Sequence, residues 1–377
     1  MSVADTYFSS VKKLADDLTA RIAPRMKWMW GEALLGYALS ELDGYLGQDR
    51  YLGFLKGYCE YWKTHAPRVD QADTSAPALI TWSVYRRTGD EGCRQLTERV
   101  LDYIRNQPRI LDDAVNHLGS SPEGRFYPKS IWVDSIMMFS VFPAIYASDT
   151  GDSALLDFAA RQPMLYSGYM QDPSEGLWYH SYWVRARTHY PRRAIFWGRG
   201  NGWIVCALPM LLDRLPAGHP AKDGILRIFR TTAAALLPLQ REDGFFDTVL
   251  ARQQSRRPSG AQACLGENYR EASATALIAS GFMHGARRGW LGQEFAEAGK
   301  KAFKSVVNTL EDTPLGLSMP DISAPTIPLP VFPLAGYRFI PRGHDWSYGV
   351  AALIFAAINY EKLAKPETGD ARSDSSH

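Results

Sequence analysis

Cysteine is scarce in this chain, and no two cysteines stand close together. Cys59, Cys93, Cys206 and Cys264 form no C-x-x-C pair, which argues against a disulfide framework and a structural zinc site. No H-E-x-x-H run is present, and His180 and His189 are too loosely placed to read as a ligand pair, so neither a metal nor a cofactor is expected. No uncharged apolar run reaches the roughly 18 residues that a membrane span needs. The start, "MSVADTYFSSVKKLADDL", has no basic segment followed by an apolar one, so no signal peptide is read there and a reduced, cytoplasmic protein is expected. A surplus of one charge is missing too. Forty-two Lys and Arg face 40 Asp and Glu, for a formal net charge of +2, which argues against a dedicated nucleic-acid binder. Nothing in the sequence specifies an oligomeric state.

Strand signals are nearly absent, whereas helical ones run the length of the chain. Apolar residues recur at helical spacing through 3–22, 28–45, 50–66, 74–88, 91–107, 132–148, 153–166, 202–214, 220–239, 268–286, 292–310 and 345–363. After the first, these segments alternate in character. One set is aromatic, rich in small residues and almost free of charge, as in "MWGEALLGYALSEL" and "WSYGVAALIFAAINY". The other set is charged on one face, as in "EGCRQLTERVLDYIR" and "EFAEAGKKAFKSVVNTL". A helix apolar all round is buried, and an amphipathic one turns one face to water. Six helices of the first kind, five of the second and the N-terminal helix describe two concentric rings, an all-α (α/α)6 barrel over residues 1–364. The polar stretch 365–377 reads as a disordered tail. Joints from inner to outer helix are short ("RTGDE", "SDTGD"). The return joints, 108–131, 167–201, 240–267 and 311–344, are long, and the last holds seven prolines between Pro314 and Pro341. Long loops crowding one end of a barrel shape a site.

The segment "WGRGNGW" at 197–203 is the least ordinary stretch. It is not a dinucleotide loop, which needs G-x-G-x-x-G after a strand, nor a P-loop, which ends in G-K-[ST]. Its glycines let a ligand approach the backbone. A helix starting near Gly202 would offer N–H donors to an anion. The fork of Arg199 matches a carboxylate, and Trp197 and Trp203 would supply stacking faces. The alternative is a tight turn whose arginine pairs with a structural carboxylate. With Arg185, Arg187, Arg192 and Arg193 just upstream, the basic reading favours a small acidic ligand, an anionic sugar. Asp134 opens an apolar helix in "SIWVDSIMMF" and has two readings. It is a first-turn carboxylate set against the helix dipole, or a general acid whose pKa is raised by desolvation. Asp73, in "ADTSAP", reads as an N-cap or as a second carboxylate raising the pKa of Asp134. His180, in "GLWYHSYW", reads as a hydrogen-bonded loop residue or a site residue.

These segments resemble the unsaturated rhamnogalacturonyl hydrolases, glycoside hydrolase family 105, and the related unsaturated glucuronyl hydrolases. The likeness is carried in order by "DTSAPA" at 73–78, "YPKSIWVDSIMM" at 127–138, "DPSEGLWYHSYW" at 172–183, "WGRGNGW" at 197–203 and "ENYREASATALIASGF" at 267–282. It implies an (α/α)6 barrel and removal of a 4,5-unsaturated uronic acid from lyase-generated oligosaccharides by hydration of the C4=C5 vinyl ether. By motif position, Asp134 is implied as general acid and then base, with Asp73 assisting. His180, Arg199, Trp197 and Trp203 are implied to bind and stack the uronate, with Trp30 lining the pocket. The family's histidine before "YP" has no counterpart at Glu123, and His117 is offset. "WLDG" reads "WVDS" here, and the "YHGW" loop is extended by basic residues. A glucuronyl-specific hydrolase and a sugar epimerase or isomerase on the same barrel stand as alternatives.

Overall fold

The computed structural model describes residues 3–251, 267–329 and 331–365. Cys264 and the tail from 366 lie outside the described residues. The helices, in chain order, are α1 (Val3–Arg21), α2 (Trp30–Leu46), α3 (Leu52–Thr64), α4 (Ala78–Thr88), α5 (Glu91–Asn106), α6 (Val141–Thr150), α7 (Ser153–Met170), α8 (Gly198–Leu212), α9 (Lys222–Leu236), α10 (Ala272–Arg287), α11 (Gln293–Val307), a short α12 (Pro333–Arg338) and α13 (Ser347–Ala364).

The joints follow from local chemistry. Inner helices α2, α4 and α6 stop at Gly47, Gly89 and Gly151, each left-handed with φ of 63°, 69° and 78°, where a side chain would be strained. In two of these joints an aspartate follows at once and caps the next helix. Asp90 accepts from the Gly92 and Cys93 amides, and Asp152 from Leu155. The Gly-Asp pair therefore turns an inner helix into an outer one with almost no loop.

Helices α2, α4, α6, α8, α10 and α13 pack each on the next, and α13 returns to α2 to close the ring. Nearly every residue of α8, α10 and α13 is buried. Outer helices such as α5 and α11 bury a single stripe. Helix α1 packs on α13 and α11, and two bonds from Arg50 to Asp16, at 2.6 and 2.7 Å, tie it to the start of α3. This is the (α/α)6 barrel the alternation predicts. Buried apolar side chains from α1 to α13 form a continuous core. No helix among the described residues is long and apolar enough to cross a membrane.

Two boundaries differ from expectation. The helix expected from 132 begins later: Ser130–Trp132 is a strand, followed by a turn and the π-helical stretch Ile136–Ser140. Helix α8 starts at Gly198, so "WGRGNGW" is mostly its first turns rather than a loop. The strands of the described residues are only two or three residues long and lie in the return joints. The largest sheet joins Ser130–Trp132, Ser181–Trp183 and Thr188–Tyr190, antiparallel throughout.

Candidate active site

The starts of the inner helices converge at one barrel end. Trp30 meets Tyr348 at 4.5 Å and Trp203 at 6.0 Å between ring centroids, joining the first turns of α2, α8 and α13. The same end receives Asp73, from a 3-10 turn before α4, and Asp134, from the turn before the π-helical stretch. Neither carboxylate caps the helix that follows it, since Pro77 and Ser135 occupy those positions without a side-chain cap. The capping readings are thereby removed.

A row of backbone hydrogen bonds sets the spacing. The amide of Ala72 donates to the carbonyl of His117, that of His117 to Ser130, and that of Val133 to His180, each at 2.9 Å. Asp73, His117, Asp134 and His180 are thus one residue from, or part of, the same ladder. His117 Nε2 lies 3.6 Å from Asp73 Oδ1, and His180 Nε2 lies 3.4 Å from Asp134 Oδ2. The second contact is close enough for charge to be felt but is out of line for a formal hydrogen bond, and both of its atoms lack a hydrogen-bond partner among the described residues. The histidine side chains are 2% and 0% exposed, whereas Asp73 and Asp134 keep 16% and 15%. The carboxyls keep an exposed edge; the histidines back them.

The electrostatics split the two aspartates. Burial, helped by the charge of Asp134, pushes Asp73 up to about 8. Burial also acts to raise Asp134, but the polar face of His180 and the field of His117 outweigh it and hold Asp134 below the usual carboxylate range. Burial lowers both histidines, His117 to about 4, so near neutral pH they are uncharged and their contacts with the aspartates are not salt bridges. The expected rise at Asp134 is therefore corrected. The two carboxyls do influence each other, but the proton rests on Asp73, because the histidine that faces Asp134 favours its ionised form. Tyr337, itself held protonated by burial, bonds His180 Nδ1 at 2.9 Å. With its O–H donating to Nδ1, the ring proton sits on Nε2, toward Asp134.

The role of "WGRGNGW" is also different from its expected one. Arg199 is wholly buried. Its Nη1 donates to the Ser323 carbonyl at 2.9 Å and to the Ser323 hydroxyl, and its Nη2 donates to the Ala324 carbonyl at 3.0 Å. Nη1 is 3.8 Å from the buried Glu271. Its guanidinium lies between Trp197 (4.7 Å) and Tyr348 (4.9 Å). The fork expected to clasp a uronate is spent on the protein, and among the described residues only Nε is without a hydrogen-bond partner. Glu271 caps α10 through the Ser273 and Ala274 amides and accepts from Ser323 N at 2.9 Å. The arginine thus locks α8, α10 and the strand Ile322–Ser323 together. Trp197 is 2% exposed and stacks on His180 at 4.3 Å, so its faces are covered. Trp203 is 1% exposed, beneath Trp30. Trp30, expected to line the pocket, remains partly exposed. Asn201 bonds Trp178 through both its amide and carbonyl, at 2.8 and 3.0 Å, and so holds the loop carrying His180. The glycines allow close backbone approach to protein. A Cβ on Gly198 would sit 2.4 Å from the Asp247 carbonyl, and one on Gly200 2.9 Å from Val133, next to Asp134.

One site residue, Tyr337, escapes the sequence reading, and another, His117, is present there only as a histidine offset from the family's position. His117 reaches the site while Glu123, at the family's histidine position, is on the surface. His117 stacks on Trp132 at 4.2 Å, and its Nδ1 bonds Ser135 Oγ at 2.8 Å. Tyr337 arrives from the proline-rich joint. Its only sequence signal is an aromatic among prolines at the site end. No group of three or more His, Cys, Asp or Glu among the described residues is placed to hold a metal ion.

Comparison with known proteins places this geometry. The model of Glycosyl Hydrolase Family 88 matches residues 4–364. The unsaturated 3S-rhamnoglycuronyl hydrolase of Alteromonas sp. (strain LOR) is 26% identical over 65% of the chain, a match spanning 58% of that protein. The unsaturated rhamnogalacturonyl hydrolase YesR of Bacillus subtilis (strain 168) is 24% identical, over 88% of the chain and 89% of YesR. A family 105 glycoside hydrolase of C. acetobutylicum ATCC 824 shares the fold with a TM-score of 0.81 at 23% identity, covering 93% of the chain and 99% of its own. With its barrel and its paired carboxyls at the mouth, the chain belongs to Glycosyl Hydrolase Family 88 and is a glycoside hydrolase.

Proposed function

We propose that the protein removes a 4,5-unsaturated uronic acid from the non-reducing end of lyase-generated oligosaccharides by hydrating its C4=C5 bond. The observation that carries this reading is the pair of cleft-edge aspartates held in opposite protonation states and backed by neutral histidines. Ordinary glycosidases place two carboxyls across the scissile bond. A vinyl ether needs something else, a proton delivered to carbon and a carboxylate to take one from water.

The roles follow from charge. Asp73 keeps a proton at neutral pH, and Asp134 is ionised. An entering uronate brings a further negative charge, which raises the pKa of Asp134 and draws the pair's proton onto it. Asp134 delivers that proton to C4. Water adds to C5 and gives its proton back to Asp134, restoring the pair. The C5 hemiketal opens to a ketone, C1 becomes a hemiacetal, and the remaining sugar leaves as its alcohol. Asp73 is the proton reserve; His180 and His117 orient the carboxyls; Trp30 offers a ring face. An epimerase would need its two histidines open to substrate, and His117 and His180 are nearly inaccessible behind the aspartates.

Incubation with unsaturated oligosaccharides made by pectin, ulvan or glycosaminoglycan lyases tests the proposal. The near-ultraviolet band of the conjugated alkene carboxylate should disappear as a free keto acid forms. A band that persists with every such substrate contradicts the reading.

A further inference from the structure

We infer that Trp346, at the start of α13, forms a stacking subsite for a sugar ring of the leaving chain; this rests on the function proposed above. Trp346 is 39% exposed, more than any other tryptophan of the chain. It stands beside Trp30 at the barrel end that carries the carboxyls. A Cβ on Gly31 would lie 2.9 Å from Ser347 Oγ, so the starts of α2 and α13 touch. A tryptophan precedes each of the touching residues: Trp30, whose partly exposed ring is offered to the uronate, and Trp346. Tyr348 stands between them. Its ring centroid is 4.5 Å from that of Trp30 and 6.1 Å from that of Trp346, with planes inclined by 31° and 26°. The outer indole is therefore within about 11 Å of the inner one, a gap that the sugars following the uronate can bridge.

Single apolar side chains are common on protein surfaces. This one is held in place. Asp345, just before it, has φ of 55°, a left-handed conformation that costs a residue bearing a side chain. Three bonds of 2.8 Å fix its carboxylate there, donated by Arg21 Nη2, the Ser318 hydroxyl and the Met319 amide. Its own amide donates to the Met319 carbonyl at 3.0 Å. The indole edge rests on Gly343, where a Cβ would come within 2.7 Å of Nε1. An indole fixed in this way loses little freedom when a ligand covers it, and its broad apolar face suits the C–H face of a pyranose. The charged groups nearby are occupied with one another. Arg342 meets Asp321 at 3.1 Å, His344 meets Glu311 at 3.1 Å, and Arg21 is bound to Asp345. The subsite therefore reads a ring surface and not a charge.

The test uses the full-length protein and the same unsaturated uronate carried as a methyl glycoside, on one neutral sugar and on two. Wild-type kcat/KM should rise once a sugar reaches Trp346, and the length at which it rises places that sugar. In Trp346→Ala this gain should fall by about threefold to tenfold, the size of one aromatic stacking contact, through KM rather than kcat. Hydrolysis of the methyl glycoside should be unchanged, which also reports that the variant is folded. Trp346→Phe should keep most of the gain, and added salt should leave it intact. A wild type without a gain, a gain that salt erases, or a gain retained in Trp346→Ala overturns the subsite alone. So does a loss that is equal on the methyl glycoside and the longer substrates. No loss of the ultraviolet band with any of the three overturns the underlying function and this inference with it.

Discussion

An aspartate faces a histidine at each end of the barrel, and the two pairs differ in what surrounds them. At the far end, where α8 and α10 finish, Asp213 is bonded to His284 at 2.7 Å and to Arg288 at 2.9 Å. At the near end, Asp134 faces His180 at 3.4 Å, has no arginine bound among the described residues, and lies close enough to Asp73 for its charge to help raise the pKa of Asp73. The far end even holds a cavity of about 600 Å³, lined by Tyr37, Asp213, Arg214 and His284 among others. Its charged groups, however, gather at helix C-termini, where cations are stabilised by the dipole, and Asp213 is already satisfied. A carboxylate whose bonds are all made within the protein has no lone pair or proton to offer. The near-end pair keeps both.

The largest expected effect separates the two ends. Asp134→Asn keeps the side chain's shape but removes the proton carrier, and turnover should fall about 10²–10⁴-fold. Asp213→Asn should leave turnover within about twofold while costing about 1–3 kcal/mol of stability, since the amide keeps one accepting oxygen and faces the second donor, His284 or Arg288, with an N–H. Steady-state rates and denaturant melts on both variants decide it. Equal losses of activity would erase the distinction.

Arg199 sharpens it next. Removing the arginine strands the buried Glu271, so Arg199→Ala should lose about 3–5 kcal/mol in a urea melt. Arg199→Lys should rescue little, because one ammonium cannot make the bonds to Ser323 and Ala324 at once. An Arg199→Ala protein of unchanged stability with only a raised KM would restore the uronate-clasping role.

The pH dependence is smaller but signed. Asp73 titrates near 3.8 when unperturbed and near 8 in the fold, so the native state binds the extra proton. Its contribution to stability is whole below about pH 4 and drains as pH rises toward about 8. Asp73→Asn removes that loss, so the variant should melt higher than wild type near pH 8 and show no such gain near pH 4. Turnover of the wild type should fall above about pH 8 as the reserve proton is lost. A flat rate across that range would remove Asp73 from the chemistry. The smallest effect is expected of Trp30→Ala, with KM raised about threefold to tenfold through loss of one stacking face.

Most of the barrel was legible before any coordinates, because helices of this length carry several periods of their apolar pattern. Gly89-Asp90 and Gly151-Asp152 mark two of the inner-to-outer turns outright. Strands of two or three residues carry no measurable period, so the helix read from 132 takes in Trp132, the last residue of the strand Ser130–Trp132. The glycines of 197–203 resembled a loop because their close neighbours, the Asp247 carbonyl and Val133, come from other parts of the chain. Asp73, Asp134 and His180 were visible as polar residues in apolar or aromatic settings. His117 was visible only as a histidine offset from the family's position, and Tyr337 not at all, since a lone histidine or tyrosine in a long joint carries little signal until the fold brings it in. Which aspartate holds the proton depended on where His180 turns its Nε2, and no local pattern encodes that.

The most direct measurement is an infrared titration of wild type against Asp73→Asn, reading the carbonyl stretch of protonated carboxyls. Glu41, raised by burial at the far end, contributes equally to both proteins and cancels in the difference. The difference spectrum should hold one protonated carboxyl at pH 7 that disappears as pH passes about 8. A difference spectrum with no protonated carboxyl at pH 7 would mean that Asp73 is ionised in the resting enzyme, and the one-proton pair would be contradicted.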